Sequence, residues 1–372
     1  MSQVEVMSKN RALKRIAYYI TPHGFGHAIR SLEVMRRLID RDPSVDITIV
    51  SDIPELLIGQ NVGRMLPCRK RRLDVGLVQQ DSLRFDLEAT REVLEDLHCR
   101  SEGLVEEEVH FLRSREIGAV VADIPFLPFV AASRCGIPSI GISNFSWDWI
   151  YRAYAHGEPR WGGFVEWIRE AYRHCHLFLQ LPMSGDCSVF RHVREVPLVA
   201  RKAKHKPEAT RKILGCLPEQ KVYLISFAVL ELDEEAQGRL ERIEHAVFLY
   251  KRPIRFHFKN SRSLDDFHEL SYPDVVAAVD GVVTKPGYGI VADCLAHGTP
   301  MIYTDRGFFP EYNILVREMT RLLSTVYMPS KDLYAGRWAP AVRQIENMPR
   351  RLPEIRSDGA DVCARVILDS IE

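Results

Sequence analysis

The segment at 282–302, VVTKPGYGIVADCLAHGTPMI, constrains the fold of this chain more than any other stretch. It begins as an apolar, β-branched run and breaks at 286–289, where a proline and two glycines interrupt regular structure. Apolar residues then recur at helical spacing over 290–296, Gly298 ends that pattern, and 301–302 start a second apolar run. A strand, a tight turn, a helix and a strand in this order predict a parallel α/β sheet.

The turn of this segment has features of an anion-binding site. Gly287 and Gly289 let a ligand approach the backbone closely, and the helix after them offers unpaired N–H groups at its positive end. Asp293, one turn into the helix, could accept hydrogen bonds from two ribose hydroxyls. The same residues also fit an ordinary βαβ unit with a glycine-softened turn, so both interpretations stay open.

A second strand–turn–helix pattern lies near the start of the chain. RIAYYI at 15–20 predicts a buried strand, TPHGFGHAIR follows it, and Leu32, Met35 and Leu38 then recur at helical spacing. The glycines do not have the G-x-G-x-x-G spacing of dinucleotide folds, which argues against nicotinamide binding. His27 falls where the predicted helix begins, at the carboxyl edge of the sheet, either as a functional residue or as an incidental histidine.

Asp123 ends another predicted strand, AVVAD at 119–123, at the same sheet edge as His27. If the two side chains are in contact, we expect the carboxylate to raise the pKa of the histidine and to fix its tautomer. The alternative is that each residue only caps local backbone. Further strands at 137–143 and 176–182, the latter taken as the last of this half, predict a doubly wound parallel sheet.

Length and a change of composition predict two domains. A chain of 372 residues is long for one domain, and the polar, lysine-rich stretch at 199–218 separates two halves that both begin with a strand. We expect one domain at 1–199, including a polar leader before the first strand, and another at 200–372. Both are predicted to be Rossmann-like, doubly wound α/β domains whose sheet edges face a common cleft.

Charge and cysteine content limit the function classes. The 50 basic and 50 acidic residues cancel, so no global field favours nucleic acid as a partner. The eight cysteines never fall at C-x-x-C spacing, which argues against zinc and redox motifs and indicates reduced thiols in the cytoplasm. The first apolar run, at 16–20, is too short for a signal peptide or a membrane span.

Three stretches in this order resemble one known group of proteins: HGFGHAIR with the helix after it, VVADIPFLPFVAASRCGIPSIGISNFSWDWIY, and VTKPGYGIVADCLAHGTPMIYTDRGFFPEYN. They are similar to the GT-B-like portion of plant and bacterial L-arabinokinases. More distantly, they resemble the glycosyltransferases that include the lipid II-forming N-acetylglucosaminyltransferase. The resemblance covers about 16–322 and implies a GT-B fold, in which two Rossmann-like domains face a cleft. Arabinokinases carry a sugar-kinase domain after this portion, so kinase chemistry is not implied here.

The resemblance implies a glycosyltransferase that moves a sugar from a nucleotide-diphosphate donor, UDP-linked, to a hydroxyl acceptor, with inversion and without a metal or cofactor. It implies three groups of site residues: the base His27 with Asp123; the donor-binding residues Lys285, Gly287, Tyr288, Gly289, Asp293, Glu311 and Asn313; and the acceptor-loop residues Gly24, Gly26, Arg30 and Trp147. SFAVLEL at 226–232 departs from the pattern, since Ala228 and Val229 stand where glycines are expected. Nucleotide-sugar 2-epimerases share the fold, and a non-catalytic nucleotide-sugar-binding protein also fits, so both alternatives stay open.

Two further stretches admit two interpretations each. The basic run at 64–72 is either a solvated loop or a contact for an anionic acceptor or membrane surface, which would allow peripheral membrane contact. The stretch at 144–168 holds four of the five tryptophans. It either packs over the core or contacts the acceptor, since Trp and Tyr combine a large apolar ring with a polar group.

Overall fold

Two parallel sheets account for the alternation of strands and helices in the sequence. The structure, a computed structural model, describes residues 14–80, 83–155 and 158–371, and the predicted polar leader lies outside these residues. The elements of the first half are β1 (Arg15–Ile20), α1 (Phe25–Arg41), β2 (Asp46–Val50), α2 (Glu55–Val62), β3 (Cys68–Arg69), β4 (Val78–Gln79), β5 (Phe85–Asp86), α3 (Leu87–Ser114), β6 (Ala119–Asp123), α4 (Leu127–Cys135), β7 (Ser139–Ser143), α5 (Trp147–Ala155), α6 (Arg160–Tyr172), β8 (Leu177–Gln180) and β9 (Val193–Glu195). The elements that follow are α7 (Pro207–Ile213), β10 (Lys221–Ser226), α8 (Glu234–Glu241), β11 (Ala246–Tyr250), β12 (Ser261–Ser263), α9 (Tyr272–Ala278), β13 (Gly281–Thr284), α10 (Tyr288–His297), β14 (Met301–Tyr303), α11 (Pro310–Leu322), β15 (Thr325–Tyr327), α12 (Ser330–Tyr334), α13 (Ala339–Glu346) and α14 (Gly359–Asp369).

The first sheet has seven strands in the order β3-β2-β1-β6-β7-β8-β9, and its strand pairs are parallel. In the register of β1 and β6, Ile20 lies beside Asp123, so the two strands end level with each other. The expectation that 176–182 forms the last strand of this half is wrong, because β9 pairs with β8. The three exposed residues of β9, VRE, carry no apolar run or alternation that would predict a strand.

The second sheet has six strands in the order β12-β11-β10-β13-β14-β15, again with parallel pairs. The 282–302 segment forms β13, α10 and β14 as predicted. Gly298 ends α10 in a left-handed conformation with φ of +63°, which favours glycine at this position. The prediction of two doubly wound parallel sheets is confirmed.

The last helix, α14, returns to the first half of the molecule and packs against α1. Cys363, Val366 and Ile367 are buried in the same apolar cluster as Leu32 and Met35 of α1. Burial of this face gives α14 its stability, since short isolated helices are marginal in water.

Two chain segments therefore connect the sheets, and they run side by side. The backbone N–H of Leu198 donates to the carbonyl of Arg356 at 3.0 Å, and the N–H of Gly359 donates to the carbonyl of Leu198 at 3.1 Å. Val199 and Asp358 form an antiparallel bridge between the same segments. The division into domains at 199 and 200 stays a prediction. The packing shows that α14, although it lies in the second predicted domain, contacts the first sheet's helix α1.

The carboxyl edges of the two sheets meet at the two glycine-rich turns. A Cβ atom on Gly289 would lie 3.4 Å from the Cα of Gly26, so the first turns of α1 and α10 are in direct contact. Phe309, which follows β14, is buried against Phe85 and Phe145 of the first half. Among the helices that the structure describes, none is long and apolar enough to cross a membrane.

Candidate active site

His27 and Asp123 meet at the carboxyl edge of the first sheet. Gly24 precedes α1 with φ of +80°, a conformation that favours glycine, and His27 lies in the first turn of the helix. Asp123 is the last residue of β6. His27 Nδ1 lies 2.8 Å from Asp123 Oδ1, and both residues are buried. The structure thus brings together two side chains that the sequence places at one sheet edge.

Arg30, one turn after His27, holds the same carboxylate. Its Nε donates to Asp123 Oδ2 and its Nη2 donates to Oδ1, both at 2.6 Å. Ser31 Oγ also donates to Oδ2, at 3.0 Å. Arg30, expected in the acceptor loop, is only 4% exposed and forms a buried bidentate ion pair instead. Its i, i+3 spacing from His27, which puts both on one helix face, is the sequence signal for this contact.

Asp123 raises the pKa of His27, as expected, but burial and Arg30 outweigh it, so the pKa of His27 is lowered overall. Burial disfavours the imidazolium most, and the Arg30 guanidinium lowers the pKa of His27 further, while Asp123 offsets these effects only in part. Burial by itself raises the pKa of Asp123, but Arg30 and His27 outweigh it and hold that pKa at about 2. At neutral pH the site therefore holds a neutral imidazole beside a carboxylate–guanidinium pair.

A chain of hydrogen bonds connects Arg30 with the second half. Arg30 Nη1 donates to Asn144 Oδ1, and Asn144 Nδ2 donates to Glu311 Oε1, both at 2.7 Å. Arg306 Nη1 donates to the other oxygen of Glu311 at 2.9 Å. Glu311, expected to bind the donor sugar, is therefore buried with both oxygens engaged. Asn313 is exposed two residues later on α11, and the structure does not bring its side chain to Glu311.

The glycine-rich turn of the second half lies against α1. Lys285 is half-buried directly after β13, and Gly287 precedes α10 in an extended conformation. Tyr288 is buried, with the centre of the Arg30 guanidinium 5.0 Å from its ring centroid. Gly289 makes the close approach to the first half described above. The predicted donor turn thus lies beside the helix that carries His27.

Arg201, in the connection between the sheets, binds the carboxylate of Asp293. Asp293 Oδ1 accepts from the Arg201 backbone N–H at 3.1 Å, and Oδ2 accepts from Nε at 3.2 Å and from Nη2. Asp293, expected to bind ribose, is 2% exposed, and the Arg201 guanidinium also lies 5.5 Å from the Tyr272 ring centroid. A ribose would have to displace these contacts. No local pattern indicates the pair, whose members are 92 residues apart.

Aromatic side chains fill the space beside the first glycine-rich turn. Trp147 is fully buried, and its indole N–H donates to Asp74 Oδ2 at 2.8 Å, which favours core packing over acceptor contact. His23 contacts Trp147 edge-on at 5.4 Å between centroids and stacks with Phe309 at 6.3 Å. Burial lowers the pKa of His23 to about 3 and raises the pKa of Asp74 to about 6. This part of the site therefore disfavours the charged forms of His23 and Asp74.

The basic run at 64–72 is paired with acidic side chains. Its ion pairs are Arg69–Glu108, Lys70–Glu55, Arg71–Glu107 and Arg72–Asp52. These pairs offset the positive charge of the four basic residues at 69–72, which weakens the interpretation as a contact for an anionic surface. The run is not a loop throughout, because β3 lies within it and pairs with β2.

The second sheet offers two kinds of group to an anion at its carboxyl edge: the N–H groups at the start of α10, and Lys285. Ala228 and Val229, where glycines are expected, are exposed after β10. Across residues 14–80, 83–155 and 158–371, no group of three or more His, Cys, Asp or Glu side chains could hold a metal ion.

The sequence and the fold of this chain are both similar to those of known proteins. The chain is 30% identical over 363 residues to L-arabinokinase of Arabidopsis thaliana, across 95% of the chain and 34% of that protein. It spans about a third of the length of the curated relative it matches. The glycosyltransferase of kitacinnamycin has a similar structure, with a TM-score of 0.60 and 17% identity over 96% of this chain and 99% of its own. The chain has the GT-B fold. A Ugt transferase from Siraitia grosvenorii, solved in complex with UDP, is similar at a TM-score of 0.54 and 15% identity over 96% and 99% of the two chains. No protein-family model matches the chain.

Sequence reasoning missed three polar residues that bind predicted site residues: Asn144 and Arg306, which bind Glu311, and Arg201, which binds Asp293. Asn144 directly follows β7, and Arg306 lies three residues after β14. In a GT-B fold the carboxyl ends of the strands face the cleft, so this rule points to both residues. Arg201 lies in a connection, where no such rule applies.

Proposed function

We propose that this GT-B protein is a glycosyltransferase that moves a sugar from a nucleotide diphosphate to a hydroxyl acceptor. The observation that carries the proposal is the 2.8 Å contact between His27 Nδ1 and Asp123 Oδ1. A histidine held through Nδ1 by a carboxylate keeps Nε2 for proton transfer. UDP in the Siraitia grosvenorii structure supports a UDP-linked donor for this chain.

The reaction moves one proton and releases one leaving group. As the acceptor oxygen attacks the anomeric carbon, its proton passes to His27 Nε2. The bond from that carbon to the diphosphate oxygen breaks, and its electron pair leaves with the nucleoside diphosphate. Attack opposite the leaving group inverts the anomeric centre. The N–H groups at the start of α10 and Lys285 stabilise the negative charge that develops, so the scheme assigns no step to a metal ion.

The charge state of His27 predicts the pH dependence of this reaction. Because burial and Arg30 lower the pKa of His27, the imidazole stays neutral, and able to take a proton, at pH values where an exposed histidine is charged. We expect the acid limb of kcat/KM to lie below the ordinary histidine pKa of about 6.5. A rate that falls already on acidification from pH 8 to 7 would contradict this charge state.

A screen of nucleotide sugars tests the proposal. Thermal unfolding is measured with UDP and with UDP-sugars, and release of UDP is then followed with and without candidate hydroxyl acceptors. We expect UDP to raise the unfolding temperature and the wild-type protein to release UDP. His27→Gln should release UDP about 10²–10⁴-fold more slowly while keeping the thermal shift. Unchanged turnover in His27→Gln would contradict a base role for this residue.

A binding protein without turnover is a second candidate, favoured by Ala228 and Val229, which stand where glycines are expected. Such a protein would be stabilised by UDP and would leave UDP-sugars intact with every acceptor. Epimerised UDP-sugar formed without an acceptor would instead indicate a nucleotide-sugar 2-epimerase. The screen separates the three candidates once the sugar of the recovered nucleotide sugar is also identified.

We also infer a reducing compartment, the cytoplasm. All eight cysteines are free thiols in the structure. Disulfides persist mainly in oxidising compartments, so reduced thiols fit the cytoplasm. Rapid alkylation in cells followed by mass spectrometry should find these thiols unpaired.

A further inference from the structure

We propose that Arg30 is a positioning residue for the base: by binding both oxygens of Asp123, it fixes the proton of neutral His27 on Nδ1 and leaves Nε2 as the proton acceptor. The use of Nε2 in catalysis rests on the proposed function. The position of the proton rests on the geometry of the described side chains alone.

The hydrogens of the Arg30 guanidinium indicate which ring nitrogen of His27 is protonated. Nη2 carries two hydrogens and has three neighbours: Asp123 Oδ1 at 2.6 Å, Ser143 Oγ at 2.9 Å and His27 Nδ1 at 2.9 Å. Bonds to the carboxylate and to the hydroxyl use both hydrogens. An unprotonated Nδ1 would then face lone pairs of Asp123 Oδ1 across 2.8 Å. Nδ1 therefore carries its own hydrogen and donates it to Asp123.

The charges around His27 come from both halves of the molecule. Arg30 on α1 and Asp123 on β6 are in contact with the imidazole. Glu311 on α11 raises the pKa of His27, and His27 in turn lowers the pKa of the nearby His23. Because the guanidinium offsets the field of the carboxylate, Asp123 can orient the ring without converting it to imidazolium. This is the state that a general base needs before transfer.

Arg30 also links the base to the contact between the sheets. Its remaining terminal nitrogen, Nη1, donates to Asn144, which in turn donates to Glu311 of the second half. Arg36 offers a matched control on the same helix, since it binds Glu33 and Asp40 near the surface. A change at Arg36 removes similar ion pairs and leaves the site intact.

Nitrogen-15 NMR of the full chain, labelled at histidine, tests the proposal, with the His27 signals identified by their loss in His27→Gln. In the wild-type protein we expect neutral His27 with Nδ1 protonated and Nε2 unprotonated. Arg30→Gln removes the positive charge, so the His27 titration midpoint should rise by about one pH unit. Arg30→Lys keeps the charge but cannot bind both oxygens as a fork, so the midpoint should rise less. Arg36→Lys should leave it unchanged.

Three results would overturn the proposal. The first is a wild-type His27 with its proton on Nε2, a measurement that needs no variant to fold. The second is an unchanged His27 midpoint in folded Arg30→Gln, or in Arg30→Lys where Arg30→Gln does not fold. The third is an acid limb of kcat/KM that stays fixed while the NMR midpoint moves. Failure of the proposed function has a different signature, since the wild-type protein would then transfer no sugar while the NMR results stand.

Discussion

At the scale of single residues, Asp123 is the buried charge on which the site depends. Asp123→Asn keeps the shape of the side chain but leaves the buried Arg30 guanidinium without its counter-charge. We expect a loss of about 3–5 kcal/mol in the free energy of unfolding, measured with urea at pH 7. Asp40→Asn breaks an ion pair between partly exposed side chains with Arg36 and should cost less than about 1 kcal/mol. Equal losses in the two variants would contradict the importance of the Arg30–Asp123 pair.

His23 should make the protein sensitive to acid. Its pKa is lowered to about 3 in the folded state, from the ordinary value of 6.5 that we assign to the unfolded chain. Between these values the unfolded chain binds a proton that the folded protein does not, so stability is complete above pH 6.5 and falls as the pH drops toward 3. His23→Gln should reduce the loss in the free energy of unfolding over this pH range by roughly 2–4 kcal/mol, allowing for partial exposure of the ring.

The measurement is urea unfolding at several pH values between 7 and 4. His110→Gln, at an exposed position on α3, should leave the slope of stability against pH as it is in the wild-type protein. If His23→Gln also leaves that slope unchanged, His23 is not kept neutral by the fold.

The sequence supports only part of the residue-scale description. His27 and Asp123 can be predicted to meet because both lie at the carboxyl ends of predicted strands, and this rule needs no side-chain geometry. The direction of the His27 pKa shift could not be predicted in the same way. It depends on Arg30, whose guanidinium reaches Asp123 across 93 residues of sequence.

At the scale of elements, the contact between α1 and α10 depends on two small residues. A valine at Gly289 would press on the backbone of Gly26, so Gly289→Val should cost about 1–3 kcal/mol or move the two sheets apart. Urea unfolding and the radius of gyration from small-angle scattering measure these effects. Gly287→Val is the control, because a Cβ there has no neighbour within 4 Å and its φ of −137° suits a β-branched residue. Matching results for the two valine variants would argue against the contact.

Elements were predictable where apolar runs are continuous. β1 and β6 match predicted runs because helices cover both faces of a parallel sheet, which makes every strand position apolar. β9 has three exposed residues and is held only by pairing with β8, so its existence depends on a partner strand and not on its own composition. The local sequence pattern does not predict element boundaries that depend on such pairing.

At the scale of the whole molecule, α14 ties the end of the described chain to the first sheet. Ile367 is fully buried there, whereas Ile371 just beyond the helix is only partly buried. Ile367→Ala should lower the free energy of unfolding by about 2–5 kcal/mol, and Ile371→Ala by clearly less. Chemical unfolding followed by tryptophan fluorescence measures both. A larger loss for Ile371→Ala would show that α14 does not pack on α1 as described.

The paired segments near Val199 and Asp358 have a mechanical consequence. Two domains joined by one flexible segment can rotate about any axis. Where two connecting segments are hydrogen-bonded side by side, rotation about the line along which they pair is favoured. Sliding or twisting would break the bonds of Leu198 with Arg356 and Gly359. We therefore expect any opening of the two sheets to be a rotation about this crossing. A ligand that binds between the sheets would then contact both glycine-rich turns.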